Sequence, residues 1–138
     1  MGAVAFHTDV ADKIAYIVRL VRKASRQGAR LVVVCDDPLA VSKALWGASN
    51  LDFMAHATPQ SDTATQANSP IVLALSALVL GRDLVQDVLV NARLDWPEAH
   101  ASYNRVIELV GQSPDEVVSG RARWKRYTAH GIQPKKLG

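Results

Sequence analysis

The chain has 138 residues, 49% of them hydrophobic and 21% charged. That length and balance suit one globular domain with a single core, and they exclude a disordered or fibrous chain. The formal net charge of +3 is unevenly spread: residues 1–116 sum to −3, while residues 117–138 carry six basic side chains and no acidic one. The carboxy-terminal piece is therefore a local attractor for nucleic acid, anionic lipid or an acidic peptide, or else a solvated helix face.

The start "MGAVAFHTDVADK" lacks the basic-then-apolar order of a secretory signal, and Phe6 stands where a myristoylation motif needs Ser or Thr. The most apolar window, "IVLALSALVLGRD", runs into charge before it is long enough to span a bilayer. Cys35 is the only cysteine. It has no internal disulfide partner, which suits a reducing cytoplasm, the expected location.

"VAF" (4–6) predicts a short first strand, with Thr8 or Asp9 capping a helix over about 9–26. Ile14, Ile17, Val18 and Val21 give that helix one apolar stripe, and Gly28 marks its stop. "LVVVC" (31–35) is continuously apolar and β-branched, the pattern of a strand buried on both faces. Asp36 or Asp37 caps the next helix, Pro38 fits its first turn, and the helix runs to about Trp46. "LDFMAHAT" (51–58) reads as a further short strand and 59–70 as a polar loop. Strands are expected at "IVLAL" (71–75), "LVQDVLV" (84–90) and "NRVIELVG" (104–111). Ser113 or Asp115 then caps a last helix over about 114–130, which stops at Gly131. The fold class is α/β, a mostly parallel Rossmann-like sheet flanked by helices, in one domain over 1–131. Residues 132–138 are expected to form a flexible basic tail in which Lys135 and Lys136 matter little to binding.

A strand ending in two aspartates raises the possibility of a magnesium-dependent nucleotidase. Such an enzyme also needs a glycine-rich loop whose amides wrap phosphate, and neither GxxxxGK[ST] nor GxGxxG occurs in the chain. Asp36 and Asp37 are therefore read as helix-capping residues. His7, His56, His100 and His130 form no i,i+4 pair, and no GxSxG elbow is present. Cys35, inside "VVVCD", reads as inert core. No catalytic residue, metal site or cofactor is expected.

The aromatic residues say more. Trp46, at the end of the second helix, and Phe53 beyond it form either a partner anchor or a local apolar lid. On the last helix Val117, Gly120, Trp124, Tyr127 and Gly131 share one stripe. Arg121 and Lys125 edge it on one side and Arg123 on the other. An apolar surface rimmed by cations suits a peptide ending in an aromatic residue with a free carboxylate. The alternative is that Trp124 and Tyr127 pack the helix on the sheet while the charges stay in water.

Taken in order, "QGARLVVVCDDPLAVSKALW", "LWGASNLDFMAH", "SPIVLAL" and "RARWKRYTAHGI" resemble the chi subunit family of bacterial DNA polymerase III holoenzyme. The resemblance covers most of the chain and is weakest over 76–105. It implies a non-catalytic adaptor of the clamp-loader complex with a Rossmann-like fold and no nucleotide site. One surface would take the acidic carboxy-terminal tail of single-stranded DNA-binding protein, through Arg121, Val110, Trp124 and Lys125. Another, at Trp46 and Phe53, would take the psi subunit and in some members a helicase. Nucleic acid would be contacted only indirectly, and no membrane is involved. The family often has a lysine where this chain has Val117, so one basic contact is absent or moved to Lys125. The competing reading is a protein that binds nucleic acid directly through its basic last helix.

Overall fold

The computed structural model describes residues 3–47 and 56–137. Its centre is a seven-stranded sheet in the order β3-β4-β2-β5-β6-β1-β7, in which every pairing is parallel. The strands are β1 (Ala3–Val10), β2 (Arg30–Val34), β3 (His56–Ala57), β4 (Ile71–Ala74), β5 (Asp87–Asn91), β6 (Arg105–Gly111) and β7 (Lys135–Leu137). The helices are α1 (Lys13–Gln27), α2 (Pro38–Gly47), α3 (Thr63–Asn68) and α4 (Pro114–Ala129). Parallel neighbours need crossovers, and the crossover helices cover both faces of the sheet. Ile17 and Val21 of α1 and Val41 and Leu45 of α2 pack one face. Tyr127 of α4 packs the other face against Val4, Phe6, Val106 and Val110. The expected Rossmann-like α/β domain is thus observed.

Several local expectations hold. β2 lies between β4 and β5 with Leu31–Val34 buried, as a strand covered on both faces must be. Gly28 adopts φ 68°, and its N–H caps α1 through the carbonyls of Ala24 and Ser25. Asp37 caps α2, its Oδ1 accepting from the Ala40 amide at 3.1 Å. Asp36 instead faces Arg93, 3.5 Å from its Nε. Ser113 caps α4, accepting from the Glu116 amide at 3.4 Å, and Pro114 opens the helix.

Other expectations are corrected. The first strand extends well past Phe6, to Val10, because its main chain pairs with β6 through His7 and again at Val10 regardless of side-chain polarity. Neither Thr8 nor Asp9 caps α1; the cap is Asp12, whose Oδ1 accepts from the Ala15 amide at 3.1 Å. The register of β1 shifts between His7 and Val10, and Asp9 there adopts φ 59°. Ile17, Val21 and Ala24 are buried, while Ile14, in the first turn of the helix, is exposed. The loop at 59–70 contains α3, capped by Asp62. The strand read over 84–90 is a single 3₁₀ turn, Leu84–Gln86, followed by β5. Of the strand read over 51–58, residues 51–55 lie outside the described residues, and His56–Ala57 form β3.

The end of the chain differs most. Ile132 and Pro134 are buried, and Lys135–Leu137 pair with Ala5–His7 as the outermost strand. The sequence "IQPKKLG" predicts a loose tail because it has no apolar periodicity. Strand pairing needs only main-chain amides and carbonyls, and the exposed edge of β1 offers them.

Candidate functional site: a cationic groove between the last helix and the sheet edge

The site begins with a missing side chain. A Cβ on Gly120 would stand 2.9 Å from Cγ2 and 3.1 Å from Cγ1 of Val110, closer than carbon atoms pack. Glycine at this position lets α4 lie directly on β6. Beside that close approach, where β1 and β6 end, a groove of about 440 Å³ opens. Val110, Trp124 and Phe6 contribute its apolar lining. The Trp124 ring is half-buried and sits 5.1 Å, centroid to centroid, from the Phe6 ring. Arg121 and Lys125, one helical turn apart and both exposed, line the groove from α4. Val117 also lines it, leaving that position apolar.

All four residues expected on the tail-binding surface, Val110, Arg121, Trp124 and Lys125, thus line one cavity. Helix periodicity alone does not reach the rest. Phe6 comes from the first strand and Lys136 from the last. Asp9 and Gln112 are also part of the lining, and Gln112 Nε2 donates to Asp9 Oδ1 at 3.0 Å.

Arg123, expected to border the apolar stripe on the side away from Arg121 and Lys125, does not rim the groove. It is buried, and its Nε donates to Glu108 Oε1 of β6 at 3.1 Å. Glu108 also accepts from Asn91 Nδ2 at 2.8 Å and from the Tyr127 hydroxyl at 2.6 Å. Burial pushes the Glu108 carboxyl upward from its ordinary range, while the Arg123 charge and the hydrogen bonds from Tyr127, Asn91 and Arg123 pull it back. Arg123 Nη1 further donates to the Leu94 carbonyl at 2.9 Å and to the Ser119 hydroxyl. This network fixes the rotation of α4 and therefore the direction in which Arg121, Trp124 and Lys125 project. The signal available in the sequence was Glu108 itself, because a carboxylate within "VIELV" requires a buried donor.

Trp46 lies elsewhere. It is 59% exposed at the end of α2, and its ring is 5.6 Å from that of His56 on β3, the opposite edge strand. With neighbouring strands about 4.8 Å apart, β3 and β1 are separated by roughly 24 Å. Phe53, expected beside Trp46, lies outside the described residues.

Cys35 is buried, and its thiol is pushed up to about 12 by burial and by Asp36 and Asp37, so it stays protonated at neutral pH. Among the described residues no group of three or more His, Cys, Asp or Glu side chains could hold a metal ion, and no helix is long and apolar enough to cross a membrane.

Residues 1–135 match the family model described as DNA polymerase III chi subunit, HolC. The DNA polymerase III subunit chi of Pseudomonas aeruginosa is 27% identical over 126 residues, spanning 89% of this chain and 84% of that one. The chain therefore belongs to the DNA polymerase III chi subunit family, accessory subunits of a DNA-replicating polymerase.

Proposed function

We propose that this chain is a non-catalytic, cytoplasmic adaptor that connects the clamp-loader complex to single-stranded DNA-binding protein. The groove receives the acidic carboxy-terminal tail of that protein. Arg121 pairs its forked donors with the terminal carboxylate, Val110 and Trp124 take the terminal apolar side chain, and Lys125 attracts the acidic residues before it. Trp46, together with Phe53, anchors the psi subunit or a competing helicase.

The observation that carries the reading is the convergence of Val110, Trp124, Arg121 and Lys125 on one groove. An apolar lining beside two exposed cations suits a ligand that is itself half apolar and half anionic. A nucleic-acid strand calls for a longer basic track along its backbone and a series of exposed aromatic platforms for its bases.

Calorimetric titration with a short acidic peptide ending in Asp-Phe tests it. The peptide should bind with its free carboxylate and bind far more weakly when amidated. Arg121→Ala should cost about 2 kcal/mol or more, and Arg121→Lys should restore only part of the affinity. Trp46→Ala, at the other edge of the sheet, should leave peptide affinity unchanged. Unchanged affinity in Arg121→Ala, or oligonucleotide binding at moderate salt in place of peptide binding, would contradict the proposal.

A further inference from the structure

The groove has a third cation, and it comes from the last strand. Building on the acidic-tail reading above, we infer that Lys136 contacts the acidic peptide directly, so that β7 forms the wall of the site facing α4.

The register of β7 carries the inference. Lys136 is paired with Phe6, Lys135 with Ala5 and Leu137 with His7. Side chains alternate between the two faces of a sheet, and directly paired residues share a face. Phe6 faces α4, its ring 5.1 Å from Trp124 and 5.9 Å from Tyr127. Lys136 therefore stands on the groove side and lines the cavity, whereas its neighbour Lys135 belongs to the opposite face. The strand is tied to α4 upstream: the Ile132 amide donates to the Tyr127 carbonyl at 3.0 Å, and Ile132 and Pro134 are buried.

Charge complementarity selects the occupant. Arg121 and Lys125 stand on the helix side of the apolar floor and Lys136 on the strand side. The acidic side chain in the lining, Asp9, accepts a hydrogen bond from Gln112. One terminal carboxylate can occupy the Arg121 fork, but cations on both walls call for at least one further negative group on the same short segment. An acidic peptide with an apolar carboxy-terminal residue meets that requirement. A neutral peptide of the same length does not.

Lys135 supplies an internal control, because it carries the same charge one residue away on the other face. In calorimetric titrations of the full chain with the acidic peptide ending in Asp-Phe, Lys136→Ala and Lys136→Gln should each bind about three- to tenfold more weakly. Lys135→Ala should stay within about twofold of the unmodified chain, since it removes only screened long-range attraction. Lys136→Gln keeps most of the aliphatic stem, and thermal melts of all three variants verify that the sheet edge is retained. Equal weakening by the Lys135 and Lys136 changes, or weakening by neither, would overturn the role of Lys136 while leaving the groove as the peptide site. Failure of the unmodified chain to bind the peptide would overturn both readings together.

Discussion

Removing the guanidinium of Arg123 should destabilise the protein far more than removing any exposed cation of the groove. The Glu108 side chain is fully buried and that of Arg123 is 4% exposed, so neither charge has water to fall back on. Arg123→Ala leaves Glu108 with only the neutral donors Asn91 and Tyr127. An uncompensated buried charge of this kind costs about 3–5 kcal/mol, a large fraction of the roughly 5–15 kcal/mol that holds a domain folded. The loss should depend on pH with a definite sign. Burial raises the native carboxyl, and Arg123 is the largest influence opposing that rise, so its removal raises the carboxyl further. A carboxyl raised in the native state contributes its full stability below the unfolded value, near pH 4, and loses it as pH climbs through the native value. The deficit of Arg123→Ala should therefore be greatest near pH 8 and shrink as pH falls toward about 5. Urea unfolding followed by tryptophan fluorescence over that range measures it, and adding Glu108→Gln to the variant should flatten the pH dependence. A deficit below about 1 kcal/mol, in the range of an exposed pair, or one independent of pH, would refute the assignment of Arg123 and Glu108 as the anchor of α4.

Gly120→Ala places a methyl group 2.9 Å from Val110, and the overpacking of about 1–3 kcal/mol should outweigh the roughly 1 kcal/mol gained in helix propensity. Thermal melts should show a net loss, and an increase in melting temperature would mean that Val110 can move aside freely. Asp37→Ala should lower stability by about 0.5–2 kcal/mol through loss of the α2 cap, while Asp36→Ala, which gives up only an exposed ion pair with Arg93, should cost about 0–1 kcal/mol. Equal effects of the two changes in denaturant unfolding would contradict the assignment of the cap to Asp37.

Features carried by local chemistry could be read from the sequence, and features made by distant strands could not. β2 is legible because "LVVVC" is apolar without interruption, and α4 because Ser113 and Gly131 bracket a helical stripe. The cap of α1 is misplaced in the sequence because Thr8 and Asp9 are good capping residues that fall inside β1, at its register shift between His7 and Val10. Arg123 was misread for a different reason. A charged helix residue is normally solvated, and its partner Glu108 lies on another element. The α4 side of the groove followed from periodicity, since Gly120, Arg121, Trp124 and Lys125 share one helix. The strand side did not, because Phe6 and Lys136 stand at opposite ends of the chain and meet only through the pairing of β1 with β7.

The adaptor proposed above would hold two partners at once, and the β1–β7 pairing sets where the first of them sits. The groove is built at the β1–β7 edge and Trp46 stands near β3, with β4, β2, β5 and β6 between them. Both faces of the intervening sheet are packed, with Leu31, Val33 and Leu109 among the buried residues on one side and Val32, Leu89 and Val106 on the other. A close-packed core of this kind yields little to a ligand at either edge. One ligand alters the affinity for another only if it discriminates between two states of the protein. The architecture presents a single packed sheet between the two surfaces, which favours independent occupancy over communication. Independence would serve the proposed tether, because gaining one partner then does not loosen the hold on the other.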